Sequence, residues 1–248
     1  MKILSIDTSS EACSASINID GELSTRFQIA PQKHSSLILG MCNELLAESE
    51  LKLPQLDAVA FSQGPGSFTG LRIAAGVVQG MAYGANLPVI KVSTLDALAQ
   101  QVITNTPLSL QFQKIAYPYN TRIIAAIDAR MSEIYWCVYS IAKNGLVSPL
   151  MPEALNRPSD ILFENKIMAD DEIFAVGSGW AEYKDELYNK PTTSKILQIF
   201  DDKLTSAEEV GILAANKFSL GEFVTAGEAI PVYLRNDVAK KSTKQPTN

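Results

Sequence analysis

A short buried strand that ends in an aspartate, turns, and returns as a second strand occurs twice in this 248-residue chain, about 121 residues apart. Ile3, Leu4 and Ile6 lead into Asp7, and residues 12–19 then alternate small, apolar and polar side chains. Residues 123–127 lead in the same way into Asp128, and residues 134–141 form the returning strand. Asp20-Gly21 closes the first pair and Asn144-Gly145 the second; both dipeptides supply the positive φ that tight hairpins require. The recurrence predicts an internal duplication with two related lobes, chance repetition of a common hairpin being the alternative. Strand–helix alternation behind each hairpin predicts two mixed α/β lobes in which helices cover sheets.

The first lobe is expected over residues 1–103. Its meander continues with a strand over 23–29. A helix is predicted over 33–49, where Leu37, Met41 and Leu45 recur at every fourth position and Ile38, Cys42 and Leu46 widen the stripe. A short strand over 58–61 precedes the loop Gly64-Pro65-Gly66-Ser67-Phe68-Thr69-Gly70, and a second helix runs over 70–84 until Asn86 and Pro88 stop it. Another strand follows over 89–92, and Ser93 and Asp96 have capping-box spacing for a helix carrying Leu95, Leu98 and Val102. Helical periodicity fails over 104–121, which holds Pro107 and Pro118 and reads as a linker. The second lobe is expected over 122–235, with a strand over 173–176 ending in Gly177-Ser178-Gly179, a helix over 181–188, and a helix over about 207–219 behind a Ser206–Glu209 box. That last helix is free to pack back on the first lobe. Residues 236–248, with Lys240, Lys241 and Lys244 among polar residues, read as a disordered tail.

Composition excludes several classes of chemistry. The chain has one histidine, His34, so a metal site with two or three histidine ligands cannot form within it, and a Ser-His or Cys-His nucleophile would have to use that residue. At a helix entry, His34 reads as a surface or interface residue. Cys13, Cys42 and Cys137 form no CxxC pair and read as small apolar side chains in a reducing compartment. With 21 Lys+Arg against 27 Asp+Glu, the net charge of −6 argues against independent nucleic-acid binding. Asp7 arrives too early for a secretory signal. Gln79, Asn86 and Pro88 interrupt the apolar run over 73–90 that mimics a membrane span. A soluble cytoplasmic protein with no membrane partner is expected.

Three features bear on function. Backbone N–H groups of the loop at Gly66, Ser67, Thr69 and Gly70, at a helix N-terminus, are candidate contacts to an anion or nucleotide, with Arg72 nearby. No Lys-Ser/Thr follows Gly70 to make a Walker pattern, and a tight turn with Ser67 or Thr69 capping the helix is the alternative. Gly76, Gly80 and Gly84 form one flat helical ridge that costs roughly 2–3 kcal/mol relative to alanine. Close approach of another backbone would offset that cost, either from the protein's own sheet or from another chain. Asp7 and Asp128 end buried strands, where an actin-like nucleotide site would place carboxylates beside phosphate and metal. Here Thr8-Ser9 and Ala129-Arg130 stand where glycines would let phosphate approach, and turn hydrogen bonding accounts for the aspartates equally well.

The strings ILSIDTSSEACSASI, HSSLIL, GPGSFTGLRIAAG, GMAYGANLPVIKVSTLDALA and IAAIDARMSEIYW, with Gly177-Ser178-Gly179 and Pro231-Val232-Tyr233-Leu234-Arg235 later in the chain, closely resemble the bacterial TsaB (YeaZ) family. The resemblance implies an actin-like (ASKHA) fold of two related RNase H-like lobes, the second reduced. It implies a part in forming N6-threonylcarbamoyladenosine next to the anticodon of tRNAs that read codons beginning with A. In that setting TsaD is the transferase and the TsaE ATPase joins the complex. The resemblance implies that this chain is a non-catalytic accessory subunit that binds TsaD, a homodimer in isolation, reaching tRNA only through the complex. No tightly bound cofactor or metal is implied, and a nucleotide at the complex interface is left open. TsaD carries a metal-binding H-x-x-x-H motif whose two positions fall at about Thr94 and Leu98 here, neither of which can ligate a metal that way. The docking surface is expected on the two helices, at His34, Leu37, Ile38, Met41 and Leu45 of the first and Arg72, Gly76, Gly80, Tyr83 and Gly84 of the second. The competing expectation is an independent kinase-like or peptidase-like member of the same superfamily.

Overall fold

The computed structural model describes residues 1–104, 120–163, 167, 168, 170–188 and 195–235. In the first lobe β1 (Lys2–Asp7), β2 (Ala12–Ile19) and β3 (Glu22–Ile29) form an antiparallel meander. Helix α1 (His34–Glu48) crosses to β4 (Ala58–Gly64), and α2 (Phe68–Ala85) crosses to β5 (Val89–Ser93). The sheet order is β3-β2-β1-β4-β5, with β1, β4 and β5 parallel. Helix α3 (Thr94–Thr104) follows directly.

The second lobe repeats this plan. Its strands are β6 (Thr121–Asp128), β7 (Ile134–Ile141), β8 (Val147–Pro149), β9 (Ala154–Asn156), β10 (Glu172–Val176) and β11 (Lys195–Phe200). The order is β11-β10-β6-β7-β8, with β9 also paired to β7. Read from the other edge, β8-β7-β6-β10-β11 matches the first sheet strand for strand, antiparallel and parallel pairings included. Asp7 and Asp128 therefore close equivalent strands, and the repeated sequence pattern is a duplicated lobe. This is the actin-like (ASKHA) arrangement of two RNase H-like lobes. The second is reduced: among the described residues a single 3-10 turn, Pro158–Asp160, stands where the first lobe has α1. In place of α2 there are α4 (Ser178–Glu182) and α5 (Lys184–Tyr188). The single helix expected over 181–188 is thus two short ones, starting earlier and interrupted at Tyr183.

The two lobes exchange their last helices. Leu95, Leu98, Ala99, Val102 and Ile103 of α3 pack with Ile123, Ala125, Cys137, Tyr139 and Phe174 of the second sheet. Val210, Leu213 and Ala214 of α6 (Ala207–Ser219) pack with Ile3, Ala58, Ala60, Ile90 and Val92 of the first. Side-chain bonds tie α3 to α6 and to the segment entering it: Gln101 Nε2 donates to the Leu204 carbonyl, three residues before α6, at 2.6 Å, and Thr104 Oγ1 donates to Glu209 Oε1 at 2.9 Å. Both serines cap their helices, Ser93 Oγ accepting from the N–H groups of Leu95 and Asp96 and Ser206 Oγ from that of Glu208, but the expected Ser206–Glu209 box is not made: Glu209 Oε1 accepts from Thr104 of α3 instead. The expected linker lies mostly on 105–119 and the expected tail on 236–248, outside the described residues; Thr104 still belongs to α3, and Thr121 opens β6.

A candidate docking face and two aspartate turns

Helix α2 buries Leu71, Ala74, Ala75, Val78 and Ala82 against the first sheet. Its opposite side carries Arg72, Gly76, Gly80, Tyr83 and Gly84, all exposed. A Cβ placed on Gly76, Gly80 or Gly84 would meet nothing within 4 Å. The protein's own sheet therefore does not explain the three glycines, and a flat ridge about 12 Å long faces outward. Tyr83 beside it is 87% exposed.

The expectation for α1 needs correction. His34, Ile38, Met41 and Leu45 are buried, the last three in one core with Leu4, Ile17, Phe61 and Val78. His34 Nε2 lies 3.2 Å from the Ala12 carbonyl, to which it donates. These four side chains are spent inside the molecule, where α1 packs on β2 and α2. Leu37 is half-buried. The outward face of α1 instead presents Leu39, 50% exposed, and Gly40, whose missing Cβ has open space. Sequence reasoning passed over both; a glycine inside a helix was the available signal.

The loop before α2 takes the form of the tight turn that the sequence offered as the alternative to an anion contact, with Ser67 capping the helix. A Cβ on Gly70 would lie 1.8 Å from the Thr8 carbonyl oxygen, and one on Gly66 2.6 Å from that of Ser9. The Ser67 N–H donates to the Ser9 carbonyl at 2.8 Å, and Ser67 Oγ accepts from the Gly70 N–H at 3.3 Å. Thr8 Oγ1 donates to the Gly70 carbonyl at 2.7 Å. The glycines thus make room for the β1–β2 turn, and two of the candidate N–H donors already have protein acceptors. Thr69 is exposed.

Asp7 is fully buried and accepts four hydrogen bonds. Oδ1 takes them from the Ser9 N–H and Ser9 Oγ at 2.8 Å each and from Thr205 Oγ1 at 3.1 Å, and Oδ2 takes one from Ser62. Four is about the capacity of a carboxylate, so the group is fully engaged as a hinge between β1, β4 and the segment entering α6. Asp128 organises its own turn, accepting from the Arg130 N–H at 2.8 Å and Tyr183 OH at 3.3 Å and pairing with the Arg130 guanidinium at 3.0 Å. Gly177 and Gly179 admit the Ala126 backbone closely: a Cβ on Gly177 would lie 2.4 Å from the Ala126 oxygen.

Burial pushes the thiols of Cys13, Cys42 and Cys137 up to about 11, 12 and 12, which keeps them protonated and poorly nucleophilic. Burial also raises Glu153 and Glu209 to about 7. Thr94 and Leu98, at the positions of the metal motif, are buried. Among the described residues no group of three or more His, Cys, Asp or Glu side chains is placed to hold a metal, and no helix is long and apolar enough to cross a membrane.

Comparison with known proteins agrees with this layout. Residues 27–245 match the family model "TsaD: tRNA N6-adenosine threonylcarbamoyltransferase". The tRNA threonylcarbamoyladenosine biosynthesis protein TsaB of Escherichia coli K12 is 38% identical over 241 residues, covering 97% of each chain. Its namesake from Haemophilus influenzae is 35% identical over 97% of this chain and 96% of that one. Among solved structures, YeaZ from Pseudomonas aeruginosa superposes with a TM-score of 0.81 at 35% identity, covering 94% of this chain and 99% of that chain. With near-complete coverage in sequence and in structure, the chain belongs to the TsaB (YeaZ) family, within the wider group that the TsaD model describes.

Proposed function

We propose that this chain acts in forming N6-threonylcarbamoyladenosine next to the anticodon of tRNAs reading codons that begin with A, as the non-catalytic partner of the TsaD transferase. The observation that carries the reading is the open glycine ridge. An 18-residue helix holds three outward glycines with nothing against them, a cost that a closely approaching partner backbone offsets. The docking face is Arg72, Gly76, Gly80, Tyr83 and Gly84 of α2 with Leu37, Leu39 and Gly40 of α1. A second copy of this chain would use the same face, so homodimer and TsaD heterodimer compete for it. TsaE joins the assembled pair, and any nucleotide sits at that composite interface. The net charge of −6 leaves contact with tRNA to the assembled complex. Engagement of Asp7 by four hydrogen-bond donors and the high thiol pKa values speak against an independent kinase-like or peptidase-like activity.

Reconstitution tests the reading. Modification of tRNA with TsaD, TsaE and the substrates present is expected to require the added chain, and the chain alone is expected to turn over neither ATP nor peptide. Modification at full rate without it, or steady turnover by the chain alone, would overturn the assignment.

A further inference from the structure

Residues 229–235 run from the docking helix to the other lobe. The Ala229 carbonyl accepts from Gln79 Nε2 of α2 at 3.1 Å. The Val232 N–H donates to the Gln63 carbonyl at 2.8 Å, and the Val232 oxygen lies 2.6 Å from where a Cβ on Gly64 would be. The Tyr233 ring packs 5.4 Å from that of Phe68, and its hydroxyl accepts from Arg72 Nε at 3.1 Å while the Arg72 guanidinium covers the Phe68 ring at 3.7 Å. Two residues later the chain has crossed to the second lobe. There Arg235 Nη2 donates to the Arg130 carbonyl at 3.2 Å and to Glu133 Oε2 at 2.5 Å, and Nη1 lies 3.6 Å from Met131 Sδ.

The turn that Arg235 grips has an unusual backbone. Arg130, Met131 and Ser132 have φ of 61°, 59° and 59°, three successive non-glycine residues in the left-handed region. Such conformations persist only where surrounding bonds over-determine them. Inside the turn those bonds are Arg130 N–H to Asp128 Oδ1, Glu133 N–H to the Arg130 carbonyl at 3.2 Å, and Ala129 N–H to the Glu133 carbonyl at 2.9 Å. Arg235 satisfies the same Arg130 carbonyl and the Glu133 carboxylate from outside. The turn holds Arg130 and Met131 outward, Met131 being 67% exposed.

We infer that residues 229–235 act as a strap coupling docking helix α2 to the β6–β7 turn, so that the left-handed turn keeps its shape only while the strap is anchored on α2. The anchor at Phe68 and Arg72 lies on the helix proposed to meet the partner, so the strap carries a change at that face to the second lobe. This regulatory use rests on the docking reading; the coupling itself is a property of the isolated chain.

Hydrogen exchange on the isolated full-length chain tests it. Tyr233→Ala, altered only at the α2 end, is expected to raise exchange of the Ala129, Arg130 and Glu133 amides about tenfold while β1 amides stay protected. Arg235→Ala should do at least as much, and Arg235→Lys, which keeps a charge opposite Glu133 but loses the fork, should fall between. Wild-type exchange of the turn in Tyr233→Ala overturns the coupling, as does a uniform rise that includes β1. With TsaD added, the wild-type turn is expected to gain protection and the Tyr233→Ala turn is not. Equal protection of both overturns the coupling, whereas failure of TsaD to bind the wild-type chain overturns the docking reading alone.

Discussion

Substituting Gly80 is expected to move stability and association in opposite directions. A Cβ there meets nothing within 4 Å, and the same holds at Gly76. Glycine in a helix interior costs about 0.8–1.0 kcal/mol relative to alanine. With no clash to subtract, Gly80→Ala gains about that amount, and the double change with Gly76→Ala about twice as much. For a chain of this length about 1 kcal/mol corresponds to roughly 2–4 °C in Tm. At the docking face the added methyls hold a facing backbone away, and Gly80→Arg sets a long charged side chain in the middle of the ridge. The expected result is therefore a monomer that melts higher and associates less. Circular dichroism melting at a concentration low enough for monomers gives the first quantity, since self-association would add its own stabilisation. Sedimentation alone and with TsaD gives the second. A lower Tm for Gly80→Ala would mean that the ridge packs inside the molecule. A Gly80→Arg chain that still forms both complexes would remove α2 from the docking face.

Two further changes probe the fold and its titration. Gly70→Ala sets a methyl 1.8 Å from the Thr8 oxygen. Forcing the β1–β2 turn away from α2 should cost more than about 3 kcal/mol, and a wild-type midpoint in urea would refute the tight approach. Glu209 is buried, and its carboxyl is raised from 4.5 to about 7, chiefly by burial. The folded state therefore holds this proton more tightly than the unfolded chain does. The stability it contributes is full below pH 4.5 and is lost as pH rises through about 7. The loss is roughly 3 kcal/mol at most, and Glu209→Gln should flatten that part of the profile. An unchanged slope in the variant would refute the role.

Much of the layout was legible in local pattern, and the misses have more than one cause. Alternation and Asp-Gly or Asn-Gly turns located the hairpins, and four-residue spacing located α1 and α2. Strands β8 and β9, three residues each, are too short to display a period. The glycines of α2 were recognised as costly, but spacing alone left open which side of the helix they occupied. The loop before α2 had the glycine content of an anion cradle; the carbonyls of Thr8 and Ser9, some sixty residues away in the chain, fill that space.

The amino-acid order by itself determined the type and phase of most elements, the single histidine, and the recurrence of strand, aspartate and hairpin, because these depend on neighbours a few residues apart. Tertiary structure alone decided what each apolar face meets. It sent α3 to the second sheet and α6 to the first, buried His34, Ile38, Met41 and Leu45, and left the ridge of α2 uncovered. Periodicity records which side of a helix avoids water, and it carries no information about which surface does the covering.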